Sequence, residues 1–549
     1  MTPDPSGLRV RLDPARARQW VQGGQWQNLT LADRARALAA SAPDHVTHID
    51  GDTRLTAAQA YAGGLRLAAA LRAQGWRAGE VLAFETPNWH EAVLIDLAAV
   101  LLGLVVCPIV PIYRDREVQQ ILADCGAKGI FVARQFRGFD YAAMMDRLRP
   151  ALPSLRAAWT VRGEPGAAGD LSGLLHSVPP LDDLPADWPA TAPDAVKLLL
   201  YTSGTTGHPK AVLHSHNTLA RGTLRGIEHW GIVAGDTTLM PSPVTHVTGF
   251  ANGIELPFYR GVTCVLLDQW NAAVAADLIE RHGVCYTMCA TPFLQELLDL
   301  AEREHRPLAS LRRFPCGGAA VPPELIHRVA RVLPSCRAFR VYGASEAPLV
   351  TLGWPAAGQE RLAAETDGQI VDYELRVVGA DGQDLPDGVE GEFRVRGPAL
   401  FLGYARVADT EAAFDEQGYY CTGDVGWRTA DGAVVFSGRI KDLINRGGEK
   451  ISAKEVEDLL HSHPGVQQAA VVAMPHARLG ETVCAYVIQR PGQALDFRDL
   501  ISLLDAAGVA RQKFPEKVVF VDDFPRTASG KVKKDLLRAD VRDRLAAGR

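Results

Sequence analysis

The chain alternates between two hydrophobic rhythms. Over residues 56–74 apolar side chains return at helical spacing (Ala60, Leu65, Leu67, Ala68, Leu71), and Gly75 ends the run. An apolar stretch at 81–84 predicts a buried strand, 91–104 a helix and 105–110 a further strand. Helices alternating with short apolar strands predict a mostly parallel sheet covered on both faces. Residues 163–194, rich in Gly, Pro, Ala and Asp, read as a surface connection. After them, 196–201 is an apolar run broken only by Lys197, the pattern of a buried strand that delivers the loop behind it.

Beyond residue 367 the rhythm shortens. Strand patterns at 374–378, 392–395 and 434–437 are separated by Gly/Asp turns such as Ala380-Asp381-Gly382 and Ala430-Asp431-Gly432, which predicts a small antiparallel barrel or sheet. The last 112 residues read as a compact α+β unit. Ser452 and Glu455 form an expected capping box ahead of Val456, Leu459 and Leu460 on one helix face. Strands at 469–473 and 483–488, a helix at 497–507 and a strand at 517–521 follow. The lysines mark the same division: of eleven, eight lie beyond residue 440. The expected domains are therefore 1–437 and 438–549.

Composition narrows the function. The chain has 549 residues, 47% hydrophobic and 22% charged, the ordinary globular range. Its formal charge of −6 argues against a dedicated nucleic-acid binder. The most apolar stretch, 97–112, is sixteen residues long and broken by Pro108 and Pro111, short of the ~20 a membrane span needs. Residues 1–14 carry no apolar signal core. Nine scattered cysteines, the closest pair being Cys285 and Cys289, read as free thiols in a reducing compartment. The expectation is a cytoplasmic, multi-domain enzyme.

The densest chemistry lies in Tyr201-Thr202-Ser203-Gly204-Thr205-Thr206-Gly207-His208-Pro209-Lys210. Two glycines let backbone amides approach phosphate oxygens closely, and four Ser/Thr hydroxyls and a lysine add donors. Pro209 stands where a Walker A loop needs Gly, so this is a different phosphate loop. The chain contains no G-x-G, no G-x-S-x-G and no H-E-x-x-H. His214 and His216 lack a third ligand nearby and do not read as a metal pair.

The phosphate loop resembles that of the adenylate-forming enzymes, which include acyl-CoA synthetases, luciferases and peptide-synthetase adenylation domains. Six further motifs follow in that family's order: Gly317-Gly318-Ala319-Ala320, Tyr342-Gly343-Ala344-Ser345-Glu346, Tyr420-Cys421-Thr422-Gly423-Asp424, Gly438-Arg439-Ile440-Lys441-Asp442, Gly447-Gly448-Glu449-Lys450, and Pro525-Arg526-Thr527 through Gly530-Lys531. Two departures are mild: Ser345 replaces the usual Thr, and Ala211 follows Lys210 where Gly is common.

The resemblance implies an α/β fold: a large N-terminal domain of two parallel-type α/β subdomains plus a small β-barrel, then a small mobile α+β domain. It implies activation of a carboxylic acid by ATP with Mg²⁺ and release of AMP. Such a site must screen two anions as they meet. Thr202, Ser203, Gly204, Thr205, Thr206, Gly207 and Lys210 would then cradle the triphosphate, with Gly318, Ala319, Tyr342 and Gly343 around adenine and the acyl group. Asp424 and Arg439 would hold the ribose. Ser345 would donate to the α-phosphate, Glu346 would bind the metal ion, and Lys531 would reach both anions as a mobile point charge. Lys441 would be the hinge, and Gly447 and Gly448 would flank the pantetheine channel.

For the acid, the resemblance makes His246 a gate and Val247 and Phe250 pocket walls, with Ala319 beside them. Val247 offers neither the Asp that pairs a substrate amine nor the Asn of 2-hydroxyaryl-acid activators, so a neutral aliphatic, alicyclic or simple aromatic acid is expected. The segment around Trp20, Trp26 and residues 29–31 resembles that of medium-chain and cyclohexanecarboxylate-type ligases and of dihydroxybenzoate activators. The expected acceptor is coenzyme A, with a carrier-protein thiol as the alternative. A non-catalytic ATP sensor on the same fold would be expected to lack Lys531 or Glu346, and both are present. A homodimer is left open.

Overall fold

The computed structural model describes residues 1–549 except 168, 181–182, 184–187, 189–190, 203–208, 320, 528–529 and 548–549. Two parallel-type sheets form its bulk. The first has six strands in the order Ala157–Val161, Gly129–Ala133, Val81–Glu85, Val105–Pro108, Val196–Thr202, Lys210–Ser215, with only the last pair antiparallel. The second has seven: Arg337–Val341, Arg313–Gly317, Tyr286–Thr287, Thr237–Met240, Thr263–Leu266, Val46–Asp50, Thr53–Thr56.

Helix Glu91–Leu102 is apolar all round and buried along its length, as a helix enclosed on every side must be. It ends at Gly103, whose φ of 67° is the left-handed cap that glycine adopts without cost. Helix Ala57–Ala73 packs on it through Gly63 and Gly64. A Cβ on either would come within 2.8 Å of Leu94 or Leu97, so the glycines set the approach of the two helices. Lys197, the odd residue of its apolar run, is 1% exposed. Its ammonium lies between Asp96, at 3.3 Å, and Glu255. Burial opposes that charge, yet the two carboxylates hold it above the ordinary lysine value.

The third sheet is a correction. Strands Glu374–Val378, Gly391–Arg396, Tyr420–Arg428 and Val434–Arg439 form an antiparallel meander that does not close into the expected barrel. The reason lies at its far edge. Val434 donates to the Gly368 carbonyl at 2.8 Å and accepts from the Asp367 amide at 2.7 Å, so a neighbouring segment already satisfies that edge.

Beyond residue 440 a five-stranded sheet combines Glu449–Ile451, Ile444–Arg446, Gly480–Gln489 and Val466–His476, with Lys517–Phe520 joining Gly480–Gln489 in parallel. Its faces carry two hydrophobic clusters of their own, separate from the large core that runs from Val10 to Val434. Half of the expected capping box forms. The Ser452 hydroxyl accepts from the Glu455 amide at 3.2 Å, but the Glu455 carboxylate turns instead to the Lys513 ammonium at 2.6 Å, a charged partner it prefers to an amide. All nine cysteines are free. Among the described residues no helix is long and apolar enough to cross a membrane.

Candidate active site

A cavity of about 110 Å³ opens where the second sheet, helix His216–His229 and the C-terminal unit meet. Its lining divides chemically. Lys531, His246, Ser345 and Gly318 supply polar groups or exposed backbone, while Leu219, Val247, Ala251, Met288 and Leu349 are apolar.

Lys531 comes from the C-terminal unit. Two hydrogen bonds to Thr527 hold it: the Thr527 amide donates to the Lys531 carbonyl at 2.8 Å, and the Lys531 amide donates to Thr527 Oγ1 at 3.1 Å. Opposite stands Gly318, with φ +77°, where a Cβ would lie 3.5 Å from Lys531 Cε. Burial, helped by the Arg439 cation, pushes the Lys531 ammonium down to about 8, against the pull of Asp424 and Glu346. The unit docks on helix Thr291–Glu304, where Gln295 Nε2 donates to the Gln467 carbonyl at 2.6 Å and Arg490 lies 3.6 Å from Asp299.

Asp424, 4% exposed, anchors a second group. Its Oδ2 accepts from the Tyr342 hydroxyl at 2.7 Å and its Oδ1 from Arg439 Nε at 3.1 Å. Burial raises this carboxyl above the ordinary range, against the Arg439 cation and the Tyr342 hydrogen bond. The Tyr342 ring stacks on Phe436 with centroids 5.6 Å apart. Among the described residues, Tyr404 gives the Glu346 carboxylate its one side-chain hydrogen bond, at 2.8 Å. That leaves acceptor capacity for a hard cation.

His246 combines two roles. Its Nδ1 accepts from the Thr248 amide at 3.4 Å, capping the short helix Val247–Gly249, and the ring also lines the cavity. Burial, and then the Lys531 cation, push it down to about 3, so the imidazole is neutral. His214 is structural. Its Nε2–H donates to the Ser345 carbonyl at 2.7 Å and so holds the Tyr342–Glu346 loop in place. His216 accepts the Leu31 amide on Nδ1 at 3.2 Å. The two histidines thus hold different elements in place.

Several expected site residues lie apart from the cavity. Phe250 sits one layer behind it, its ring 5.2 Å from Lys197 Nζ. Ala319 adjoins Gly318 but is not part of the lining. Thr202 and Lys210 face each other across adjacent strands, and the Lys210 ammonium lies 4.8 Å from the Tyr404 ring and 3.7 Å from Asp409. Ser203, Gly204, Thr205, Thr206 and Gly207 lie outside the described residues. Gly447 and Gly448, with φ of +62° and +100°, form an exposed hairpin turn away from the cavity. Lys441 is exposed in the turn Ile440–Asp442, beside the 2.9 Å pair of Asp442 with Arg538.

Other lining residues carry no motif. Asn252 lies in a π-helical turn, Phe250–Glu255, and its Nδ2 donates to the Thr248 carbonyl at 3.0 Å. Gly222, Met288, Cys289 and Leu349 complete the apolar side. Ala251 and Asn252 stand one turn on from Val247 and Thr248 and so reach the cavity, whereas Phe250 does not.

Comparison with known proteins gives the family. Residues 35–405 match the family model described as AMP-binding enzyme, and residues 455–531 match the AMP-binding enzyme C-terminal domain. The chain is 33% identical to the medium-chain fatty-acid–CoA ligase of Escherichia coli (strain K12), over 98% of this chain and 96% of that protein. It is also 33% identical to a salicylyl-CoA synthase / salicylate adenylyltransferase of a Streptomyces species, over 96% of each chain. Among solved structures, ATP-bound MatB from Rhodopseudomonas palustris superposes with a TM-score of 0.82 at 26% identity, covering 94% of this chain and 99% of that one. By both family models and by relatives matched along nearly its whole length, the chain belongs to the AMP-binding enzyme family.

Proposed function

We propose that the protein is an AMP-forming acid–thiol ligase. It joins a neutral aliphatic, alicyclic or simple aromatic acid to ATP as an acyl-adenylate, then passes the acyl group to coenzyme A. The observation that carries this reading is the meeting of Lys531, from the C-terminal unit, with His246, Ser345 and Gly318 from the large body around one half-apolar cavity. The named relatives are acid–CoA ligases and acid adenylyltransferases, which supports the same chemistry.

In the first step a carboxylate oxygen attacks the α-phosphorus and pyrophosphate leaves. Lys531 neutralises both anions as they approach, and the Ser345 hydroxyl donates to the α-phosphate. Asp424, with Arg439 and Tyr342 fixing its two oxygens, receives the ribose hydroxyls. Glu346 would hold Mg²⁺, which supplies charge neutralisation to the triphosphate. In the second step the thiolate of coenzyme A attacks the acyl carbon and AMP leaves. The neutral His246 ring shields the acyl carbon without adding charge beside it.

The two bodies would divide at residues 437 and 438, between the large core and the two C-terminal clusters. The arrangement described here suits the first step, with Lys531 in and Gly447–Gly448 out. Rotation at Lys441 would exchange them for the second. Incubation of a panel of acids with ATP, Mg²⁺ and coenzyme A tests the proposal. Acid-dependent AMP release with equimolar thioester is expected; acid-dependent ADP release would overturn it.

A further inference from the structure

Arg340 lies near the end of strand Arg337–Val341, directly ahead of the Tyr342–Glu346 loop. Side chains alternate along a strand. Val341 lines the cavity, and Arg340 is turned the other way, into the body of the protein, where it is 2% exposed. There it meets the buried Asp367. Arg340 Nε and Nη2 donate to Asp367 Oδ1 at 3.0 and 2.8 Å, and Nη2 also donates to Oδ2 at 2.7 Å. The remaining nitrogen, Nη1, donates to the Ala364 carbonyl at 3.0 Å. Buried ion pairs are often no more stabilising than apolar residues of the same volume. What they add is direction, since a guanidinium fork fits a carboxylate in few orientations.

Asp367 reaches Tyr342 by two routes. Its Oδ2 accepts the Phe436 amide at 2.8 Å, and the Phe436 ring stacks on Tyr342 with 20° between the planes. Its carbonyl accepts the Thr351 hydroxyl, whose oxygen in turn accepts the Tyr342 amide at 2.8 Å. One route holds the Tyr342 ring and the other its backbone, and the Tyr342 hydroxyl then donates to Asp424. Phe436 also belongs to strand Val434–Arg439, which ends on Arg439, the second partner of Asp424. The two hydrogen bonds that orient the Asp424 carboxylate therefore both come from elements seated on Asp367.

We propose that Arg340, Asp367 and Thr351 are positioning residues for the nucleoside: without touching ATP, they set where the Tyr342 ring and the Asp424 carboxylate stand when adenosine is received. The inference rests on the reading of Tyr342 and Asp424 as the nucleoside side of the site. None of the three lines the cavity. The acid side is built on other elements, helix His216–His229 and residues 246–252, so loss of the relay acts on ATP and spares the acid.

The test uses the full chain and measures KM for ATP and for an accepted acid in pyrophosphate exchange. Calorimetric binding of ATP with Mg²⁺ in the absence of acid, and inhibition by inorganic tripolyphosphate, complete it. Thr351→Val leaves the Tyr342 amide and the Asp367 carbonyl without their shared partner, and should raise both the KM and the Kd for ATP about tenfold. Arg340→Lys keeps the charge without the fork and should do the same; Asp367→Asn should do more. In each variant the acid's KM, and inhibition by tripolyphosphate, which carries no nucleoside, should stay within about twofold of the wild type. A merely structural role would lower the melting temperature and the active fraction but leave both KM values unchanged. An unchanged KM for ATP in Thr351→Val, or equal rises for ATP, tripolyphosphate and acid, would overturn the proposal. Thr351→Val decides it even where the two ion-pair variants do not fold. If the wild type neither binds ATP nor exchanges pyrophosphate, the ligase reading itself fails and this inference falls with it.

Discussion

The depressed Lys531 ammonium makes activity and stability move in opposite directions with pH. Burial beside Arg439 holds it at about 8, below the ordinary 10.5 of a lysine. Keeping the charge in place therefore costs on the order of 3 kcal/mol, a ceiling because the side chain is only partly buried at the cavity wall. The unfolded chain binds more protons than the folded one between about 8 and 10.5, so this residue's contribution to stability rises with pH through that window. Activity should do the reverse if the proposed adenylation step uses the Lys531 cation. In free enzyme, kcat/KM for ATP in pyrophosphate exchange should fall about tenfold per pH unit above about 8. Lys531→Met should lose ~10²–10³-fold of the exchange rate at neutral pH, the usual effect of removing one transition-state donor, while unfolding later than the wild type. Lys531→Arg should keep a reduced rate that does not decline from pH 8 to 10, since a guanidinium stays charged. The reasoning would be refuted by a wild-type profile flat to pH 10, or by the same decline in Lys531→Arg.

Three further outcomes are expected. Val247→Asp places a carboxylate at a site 8% exposed beside the acyl chain, at a cost of several kcal/mol, so kcat/KM for neutral acids should fall at least ~100-fold; unchanged efficiency would remove Val247 from the pocket wall. Asp424→Asn weakens the Arg439 pair and takes a charged acceptor from the ribose, so KM for ATP should rise roughly ten- to a hundredfold with little change in the acid's KM; equal changes in both would place Asp424 elsewhere in the mechanism. Lys531→Ala should slow acyl-adenylate formation by a similar ~10²–10³-fold yet still turn supplied acyl-adenylate into thioester, whereas Gly448→Leu and Lys441→Pro should show the opposite split. Equal loss of both half-reactions in Lys531→Ala and Gly448→Leu would contradict alternation of the C-terminal unit.

Much of the site is legible in the sequence because its motifs combine residue types that seldom cluster without a chemical reason. The Tyr342-Gly343 and Asp424 motifs, both assigned to the nucleotide by the family resemblance, meet in one hydrogen bond. The apolar run broken by Lys197 reads correctly as a buried strand. Its break, however, is explained only by Asp96 and Glu255, far away in sequence. The third sheet reads as a barrel because alternating strands look the same whether or not their edges meet. Closure depends on Gly368 and Asp367, which lie outside the strand pattern. Phe250 and Leu349 show the limit most clearly. Phe250 lies in a π-helical turn outside the lining, and Leu349, with a left-handed backbone, is part of it. Neither conformation leaves a hydrophobic period to read.

The central claim is that the acid's own oxygen attacks the α-phosphorus of ATP, and isotope transfer tests it most directly. A carboxylic acid accepted by the enzyme, labelled with ¹⁸O in both carboxylate oxygens, is turned over with ATP, Mg²⁺ and coenzyme A, and the products are analysed by mass spectrometry. If the acyl-adenylate forms, thiolysis breaks the acyl carbon–oxygen bond, so one labelled oxygen must appear in AMP and one must remain in the thioester, with pyrophosphate unlabelled. Label in inorganic phosphate, accompanied by ADP, would contradict the account.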